Sequence, residues 1–154
     1  MMAGFFVLLA LAALLLLIFF LKRFFPAEVY ERNEKFLSPA ELYFMKALMD
    51  EFSGRYHVMC KVRLGDILKV REHLHGKKWR SAYNKILCKH VDFVLCSKEN
   101  FEIMAVIELD DRSHERQDRK ERDEFVDEAM KDAKIPIFHI PVQKNYSLSN
   151  LQVP

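Results

Sequence analysis

The chain has 154 residues, enough for one folded domain plus an attachment, and its formal net charge of +2 conceals an asymmetry. Residues 60–90 carry nine basic and two acidic side chains, whereas residues 99–132 carry six basic and thirteen acidic ones. This favours two oppositely charged faces that keep the domain soluble; the alternative is a basic flank that holds a phosphate chain against an acidic, metal-loaded site. The three cysteines lie in apolar contexts and are odd in number, which favours reduced, buried thiols in the cytosol over disulfides. Their spacing does not match a recognised zinc site.

The first predicted element is an apolar helix. Residues 1–21 contain no charged side chain, and as a helix they would span about 31 Å, enough to cross a bilayer core of about 30 Å. No Lys or Arg precedes the run and no small-residue cleavage site closes it, so an anchor is favoured over a signal peptide. Lys22 and Arg23 follow directly. We therefore predict a transmembrane anchor over residues 1–23, with residues 4–21 in the bilayer and the C-terminal domain in the cytoplasm.

The second predicted helix follows a linker over residues 24–37. Ser38 suits an N-cap and Glu41 stands three residues later, the spacing of a capping box. The apolar positions at helical spacing predict one face packed on a core. These positions are Leu42, Met45, Met49 and Phe52.

Period-two and apolar patterns then predict a sheet. Strands are expected over residues 56–64, 91–96 and 101–109, followed by a charged helix over about 115–133 and a last strand over 135–140. Only the second half of that helix has an apolar stripe that can dock on a sheet.

An extra helix is inserted between the first two strands, and a tail ends the chain. The inserted helix carries Trp79 and Tyr83, whose spacing favours burial in the core over the alternative of stacking on nucleic-acid bases. The domain is expected to occupy residues 38–141, followed by a polar tail over residues 142–154 that is loosely held.

Three carboxylates lie in the predicted strands, although burying an apolar side chain there would cost less free energy than burying a charge. They are Asp92, Glu108 and Asp110, and the commonest reason for such a cost is a metal ion or a proton-transfer site. Clustered carboxylates repel, so without a metal at least one should have a raised pKa. Mg²⁺ or Mn²⁺, which prefer oxygen ligands, would relieve the repulsion.

Whether these carboxylates meet depends on one turn. A two-residue loop over residues 98–99 would put Asp92 and Glu108 on opposite faces of the sheet, and a three-residue loop over 98–100 would make them diagonal neighbours on one face. Asn100 tolerates the left-handed backbone that a three-residue loop needs at its last position. We therefore predict that Asp92 and Glu108 converge.

The chain resembles a known family through several segments. SPAELYF, KVRLGDIL, KHVDFVL, VIELDDRSH, RKERDEFVDEAM and IPIFHIP are similar to the bacterial family called domain of unknown function 2726, over about residues 37–141. Asp in one strand and Glu-x-Asp in the next also resemble the PD-(D/E)XK nuclease-like superfamily and its very-short-patch-repair-like branch. The resemblance implies an α/β, restriction-endonuclease-like, three-layer core ordered α-β-β-β-α-β, with a mixed sheet.

The resemblance also implies roles for particular residues. Asp92 and Glu108 are similar to the metal ligands, and Glu41 to the acidic residue that the superfamily often has on its first helix. Asp110 stands where the superfamily signature has the lysine that steadies the attacking water or the transition-state charge. This departure implies a cation from elsewhere, a histidine in its place, or lost activity, and His114 is the expected substitute.

Four further residues are accessory candidates. Lys89 and His90 flank the second strand, and His90 has the same parity as Asp92. On the long helix, Arg119 is a candidate phosphate contact, whereas Asp123 fits a solvated helix with ion pairs at least as well.

Three functions remain open from the sequence. The first is a membrane-anchored, Mg²⁺- or Mn²⁺-dependent nuclease in the bacterial inner membrane that acts on DNA in preference to RNA. The second is an inactive nuclease-fold module that binds nucleic acid or a membrane protein partner. The third is a structural role in which the carboxylates form ion pairs.

Overall fold

The chain forms two compact units, Met1–Phe36 and Leu37–Pro154. The first contains helix α1 (Met2–Phe24), which has a mean hydropathy of 3.1 over its apolar window and no buried residue. By length and composition this helix is able to cross a membrane, a test that a signal sequence near an N-terminus also passes. The computed structural model describes residues 2–24, 29–110 and 117–154, without the side chains of residues 117–122.

The second unit is a mixed α/β domain with a four-stranded sheet in the order β1-β2-β3-β4. The strands β1, β2 and β3 pair antiparallel, and β4 pairs parallel to β3 because helix α5 carries the chain back across the sheet. The predicted order of helix, three strands, helix and strand is therefore confirmed, with two helices inserted after β1. The elements are α2 (Pro39–Phe52), β1 (Tyr56–Arg63), α3 (Leu64–Ile67), α4 (Gly76–Leu87), β2 (His90–Ser97), β3 (Ile103–Asp110), α5 (Gln117–Ala133) and β4 (Ile137–Pro141).

Apolar clusters cover both faces of the sheet. On one face, α2 packs against β2 and β3; on the other, α4 and α5 do so. The helices bury their apolar stripes because each sheet face is itself apolar. The first cluster includes Phe44, Leu48, Phe52, Phe93 and Ile107, and the second includes Ile86, Val94, Val106, Val126 and Met130.

The N-terminal cap of α2 is as predicted, and its predicted buried face is only partly so. The Ser38 hydroxyl accepts a hydrogen bond from the Glu41 amide, and the Glu41 carboxylate accepts one from the Ser38 amide at 2.7 Å, which completes the capping box. Of the four side chains expected in the core, Phe52 is buried and Met45 packs against the core, whereas Leu42 and Met49 are 48% and 47% exposed. Phe44 and Leu48, which were not predicted, are buried as well.

The inserted helix α4 differs from its prediction. Ile86 is buried, but Trp79 and Tyr83, which were expected in the core, are 39% and 36% exposed. Their helical spacing puts them on the same side of α4 as Ile86, but they lie at the edge of its buried face.

The C-terminal segment also differs from its prediction. Leu148 is buried in the first apolar cluster, and the Tyr56 hydroxyl donates to the Pro154 carbonyl at 2.8 Å. The Tyr43 hydroxyl donates to the Lys144 carbonyl at 2.6 Å. The tail is therefore part of the domain, because its scattered apolar residues reach the open edge of the core.

The connection between β2 and β3 is not the predicted three-residue turn. The Ser97 amide donates to the Glu102 carbonyl at 2.8 Å, so residues 98–101 all lie in the loop. The left-handed backbone belongs to Phe101, with φ of 59°, and not to Asn100. The Asn100 side chain contributes instead, because its Oδ1 accepts a hydrogen bond from the Glu102 amide at 3.1 Å. An Asn side chain can close a turn by such a hydrogen bond, so the left-handed backbone falls on the next residue.

Candidate functional site

A polar cleft of about 610 Å³ opens where one end of the sheet meets helices α2 and α5. Carboxylates from four elements line it, together with a lysine and two histidines. Most of the acidic candidates from the sequence therefore meet in one place. The acidic residues are Glu41, Asp92, Glu108, Asp110, Asp123 and Asp127, and the basic ones are Lys61, His90 and His139.

Asp92 and Glu108 lie on neighbouring strands in this cleft. A β-bulge between Leu95 and Cys96 shifts the β2–β3 register, and beyond it Phe93 pairs with Ile107. Asp92 and Glu108 adjoin this rung on their two strands, and both line the cleft. The predicted turn does not bring them there, because the connecting loop is longer and the register shifts at the bulge.

The backbone of β3 holds the Asp92 side chain in place. The Leu109 amide donates to Asp92 Oδ2 at 3.0 Å, which fixes one carboxylate oxygen against the strand that carries Glu108. Its other oxygen, Oδ1, lies 3.9 Å from Lys61 Nζ. Asp92 thus connects β1 to β3 through its two oxygens, and its side chain is only 17% exposed.

Lys61 is the cation at the centre of the acidic group. Its ammonium donates to Glu41 Oε1 and also approaches Asp92, so it links α2 on one side of the sheet to β2. The Lys61 and Glu41 side chains are 25% and 15% exposed. Part of the carboxylate repulsion that a metal ion was expected to relieve is therefore relieved by this lysine.

An interruption in β1 and β2 brings Lys61 and Asp92 to the cleft. Cys60 packs on the first apolar cluster, whereas Val62, two residues on, packs on the second. Phe93 and Val91 show the same change on the partner strand. Both strands break their alternation at the rung between these pairs, where Lys61 has a left-handed backbone with φ of 54°. A non-glycine residue in that conformation costs energy and is typical of functional sites.

Glu41 combines the capping role with a place in the cleft. Burial acts to raise the pKa of its carboxyl, but hydrogen bonds with Lys61 and Ser38 outweigh burial and hold the pKa below its ordinary value. Because the folded-state pKa of Glu41 is lowered, its ionised carboxylate stabilises the folded protein above the ordinary pKa of about 4.5. This stabilisation is lost as the pH falls through the lowered pKa.

His139 of β4 forms the other side of the cleft. Its Nε2 lies 2.8 Å from Asp127 Oδ1 and its Nδ1 lies 3.4 Å from Asp110 Oδ1. Burial acts to lower the pKa of His139, but the hydrogen bonds to Asp127 and Asp110 outweigh it and raise the pKa above its ordinary value. In the β3–β4 register His139 pairs with Glu108. The histidine with the raised pKa therefore lies on the strand next to this carboxylate.

Asp110, which stands where the resemblance implies a lysine, lies 3.4 Å from His139 Nδ1 through its Oδ1. A cation, Lys61, reaches the cleft from β1 and approaches Asp92. The three implications of the departure at Asp110 stay predictions.

The other candidates divide into three groups. His90 and Asp123 line the cleft. Lys89 does not, since its Nζ donates to the Lys85 carbonyl at 2.8 Å and lies over the ring of Phe125, which lines a different pocket. His114 and the Arg119 side chain lie outside the described residues, and their predicted roles stay predictions.

Sequence reasoning missed Lys61, Asp127 and His139. A strand with regular period-two alternation would place the Lys61 side chain on the outer face. The broken alternation turns that side chain into the cleft. Asp127 looked like one of many charges on a solvated helix. His139 offered a signal, because it is the polar residue inside the apolar strand IPIFHIP, as Asp92 is in its own strand.

The fit to a metal ion can be tested on the donor set. Within the described part of the chain, no three His, Cys, Asp or Glu side chains are arranged to hold a metal ion. Mg²⁺, however, is usually held by one or two carboxylates together with waters and substrate phosphates. The Asp92–Glu108 pair fits that mode of binding in donor chemistry and in its place on adjacent strands.

Comparisons with known proteins give a family but no activity. A family model described as "Protein of unknown function (DUF2726)" matches residues 33–153. Neither a curated protein nor a solved structure matches the chain. The function therefore has to be argued from the cleft.

Proposed function

The chain belongs to the DUF2726 family, and from its cleft we propose that it is a membrane-anchored, metal-dependent phosphodiesterase of the nuclease type that acts on DNA. The observation that carries the proposal is the Asp92–Glu108 pair on adjacent strands, with the Lys61 ammonium 3.9 Å from Asp92. Two carboxylates and a cation are the groups that hydrolysis of a phosphodiester needs.

The proposal includes a finer assignment of the fold. The element order, the mixed sheet and the carboxylates on α2, β2 and β3 all suit a PD-(D/E)XK, restriction-endonuclease-like core. In this chain we propose that Lys61 of β1 takes the part of the lysine that Asp110 replaces.

Each cleft residue then has a role. Asp92 and Glu108 would hold Mg²⁺ or Mn²⁺, which when bound polarises a phosphate and lowers the pKa of a bound water. Lys61 offsets the negative charge that develops on the phosphate oxygens. His139, held between Asp110 and Asp127, would serve as the general acid for the leaving oxygen.

A second function is favoured by one observation. Lys61 is already hydrogen-bonded to Glu41, and Asp110 to His139, so the charged groups of the cleft are paired within the protein. This suits an inactive nuclease-fold module that binds nucleic acid or a protein partner at the membrane.

Cleavage assays on the full chain in mild detergent test the proposal. Supercoiled, linear and single-stranded DNA and RNA would be incubated with Mg²⁺, with Mn²⁺ and with a chelator. We expect metal-dependent cleavage of DNA, abolished by Asp92→Asn or Glu108→Gln and reduced about 100-fold or more by Lys61→Met. The matched control is Glu51→Gln, which removes an exposed carboxylate of α2 outside the cleft and should leave the rate unchanged.

Two outcomes would decide against the enzyme. Binding of DNA and a metal-dependent rise in melting temperature without cleavage would support the inactive module. Absence of both cleavage and the melting-temperature rise would reject the metal site itself.

A further inference from the structure

Helix α4 carries an aromatic pair on its surface. The rings of Trp79 and Tyr83 are stacked, with centroids 4.9 Å apart and planes 12° from parallel. Both side chains are more than one third exposed, although large aromatic side chains at helical spacing usually lie in a core. The two rings therefore hold each other in a fixed orientation at the surface.

Helix α4 is basic. It contains four basic side chains and no acidic one, and Arg80 is exposed one residue after Trp79. Helical geometry puts Arg80 on the same side of the helix as Tyr83, three residues later. A stacked aromatic pair among cations is complementary to a polyanion that has exposed flat bases.

The C-terminal end of α4 leads to the cleft. Helix α4 ends at Leu87, and β2 begins three residues later at His90. Arg63 pairs with His90 across the β1–β2 ladder, and His90 lines the cleft. A single strand bound along α4 can therefore extend toward the cleft.

We propose that Trp79, Tyr83 and Arg80, here called the α4 platform, bind single-stranded nucleic acid and direct it to the cleft. This inference rests on the proposed function for its last step, since it names the form of the substrate. Stacking requires an unpaired base with a free face, which a duplex hides inside its helix, so the platform selects single strands.

The chain offers a direct probe, because Trp79 is its only tryptophan. The full chain in mild detergent and chelator would be titrated with oligo(dU), oligo(rU) and a duplex of equal length, and Trp79 fluorescence would be followed. We expect quenching by the single strands at concentrations that leave the signal unchanged with the duplex. The dU and rU arms differ only in the 2′-hydroxyl, so they separate DNA from RNA as the source of the bases.

Variants test the same site by anisotropy of a labelled oligonucleotide. Trp79→Ala and Tyr83→Ala should each weaken single-strand binding about 10-fold, the effect of losing one stacking contact, while Trp79→Phe should retain most of it. The matched control is Phe101→Ala, which removes an exposed ring stacked on His57 in the β2–β3 loop, away from α4.

The outcomes separate this inference from the proposed function. Single-strand binding that depends on the platform in chelator supports the inference even if no cleavage is ever seen. Cleavage of duplex and single strands at equal rates, unaffected by Trp79→Ala, would overturn the inference and leave the nuclease in place. Unchanged fluorescence with both oligonucleotides, or equal affinities for Trp79→Ala and Phe101→Ala, would also overturn it.

Discussion

At the residue scale, two basic side chains of the cleft each contact two carboxylates. Lys61 contacts Glu41 and Asp92, and His139 contacts Asp110 and Asp127. The acidic side chains that line the cleft outnumber the basic ones, an excess that would suit the proposed metal ion. The left-handed backbone of Lys61 shows that the fold accepts a local cost to put its ammonium there.

His139 gives the residue-scale prediction. We expect an NMR titration of its imidazole to give a pKa above 6.5 in the wild type and a lower one in Asp127→Asn, because the variant removes the closer carboxylate. Because the folded-state pKa of His139 is raised, the contacts of its protonated ring stabilise the folded protein below pH 6.5. This stabilisation is lost as the pH rises through the folded-state pKa. It should stay below about 1 kcal/mol, because the side chains are partly exposed and water screens them.

The control for this titration is Asp132→Asn on the same helix, in a different pocket. An unchanged His139 pKa in Asp127→Asn, or an equal change in the control, would contradict the assigned partner.

At the element scale, α2 joins the core to the cleft. Its first turn presents Glu41 to Lys61, and its later turns bury Phe44, Leu48 and Phe52 against the sheet. The sequence contains two apolar rows on this helix, and periodicity alone does not choose between them. The row that fits against Phe93 and Ile107 is buried.

The buried row can be tested with two leucines of the same helix. Leu48→Ala should lower the free energy of unfolding by about 2–5 kcal/mol, because Leu48 is fully buried and the deletion leaves a cavity. Leu42→Ala should lower it by less than about 1 kcal/mol, since that side chain is 48% exposed. Thermal unfolding of the full chain, followed by circular dichroism, measures both. Equal losses, or a larger loss for Leu42→Ala, would show that the helix packs by its other row.

At the scale of the whole molecule, the proposed anchor would decide where the cleft can act. Helix α1 is long and apolar enough to cross a membrane, and Lys22 and Arg23 close it on the C-terminal side. We propose from this asymmetry that the domain is in the cytoplasm, where DNA is available.

Cysteine labelling tests both the anchor and its orientation. Cys88 is exposed, whereas Cys96 is buried and burial raises the pKa of its thiol, so a maleimide should react mainly at Cys88. With a membrane-impermeant maleimide, we expect no labelling in intact cells, labelling after permeabilisation, and loss of most of it in Cys88→Ser. The chain should stay in the membrane fraction at its full 18.3 kDa. Labelling of intact cells would reverse the orientation, and a shortened chain would indicate a cleaved signal sequence.

The sequence by itself determined the features that depend on neighbouring residues. The apolar span, the capping box at Ser38 and Glu41, the order of strands and helices, and the presence of costly carboxylates in two strands all follow from local patterns. Such patterns are set by helix and strand periodicity and by hydrogen bonds within a few residues.

Only the tertiary structure decided how these residues meet. The bulge before Cys96 shifts the register of the two strands that carry Asp92 and Glu108, and the broken alternation at Lys61 turns its side chain into the cleft. His139 joins them because β4 pairs with β3 after a crossover of more than twenty residues. Register and crossover are fixed by packing between distant segments, and a one-residue shift moves every side chain of a strand to the other face. For that reason the sequence could propose the carboxylates of the site but not its cation.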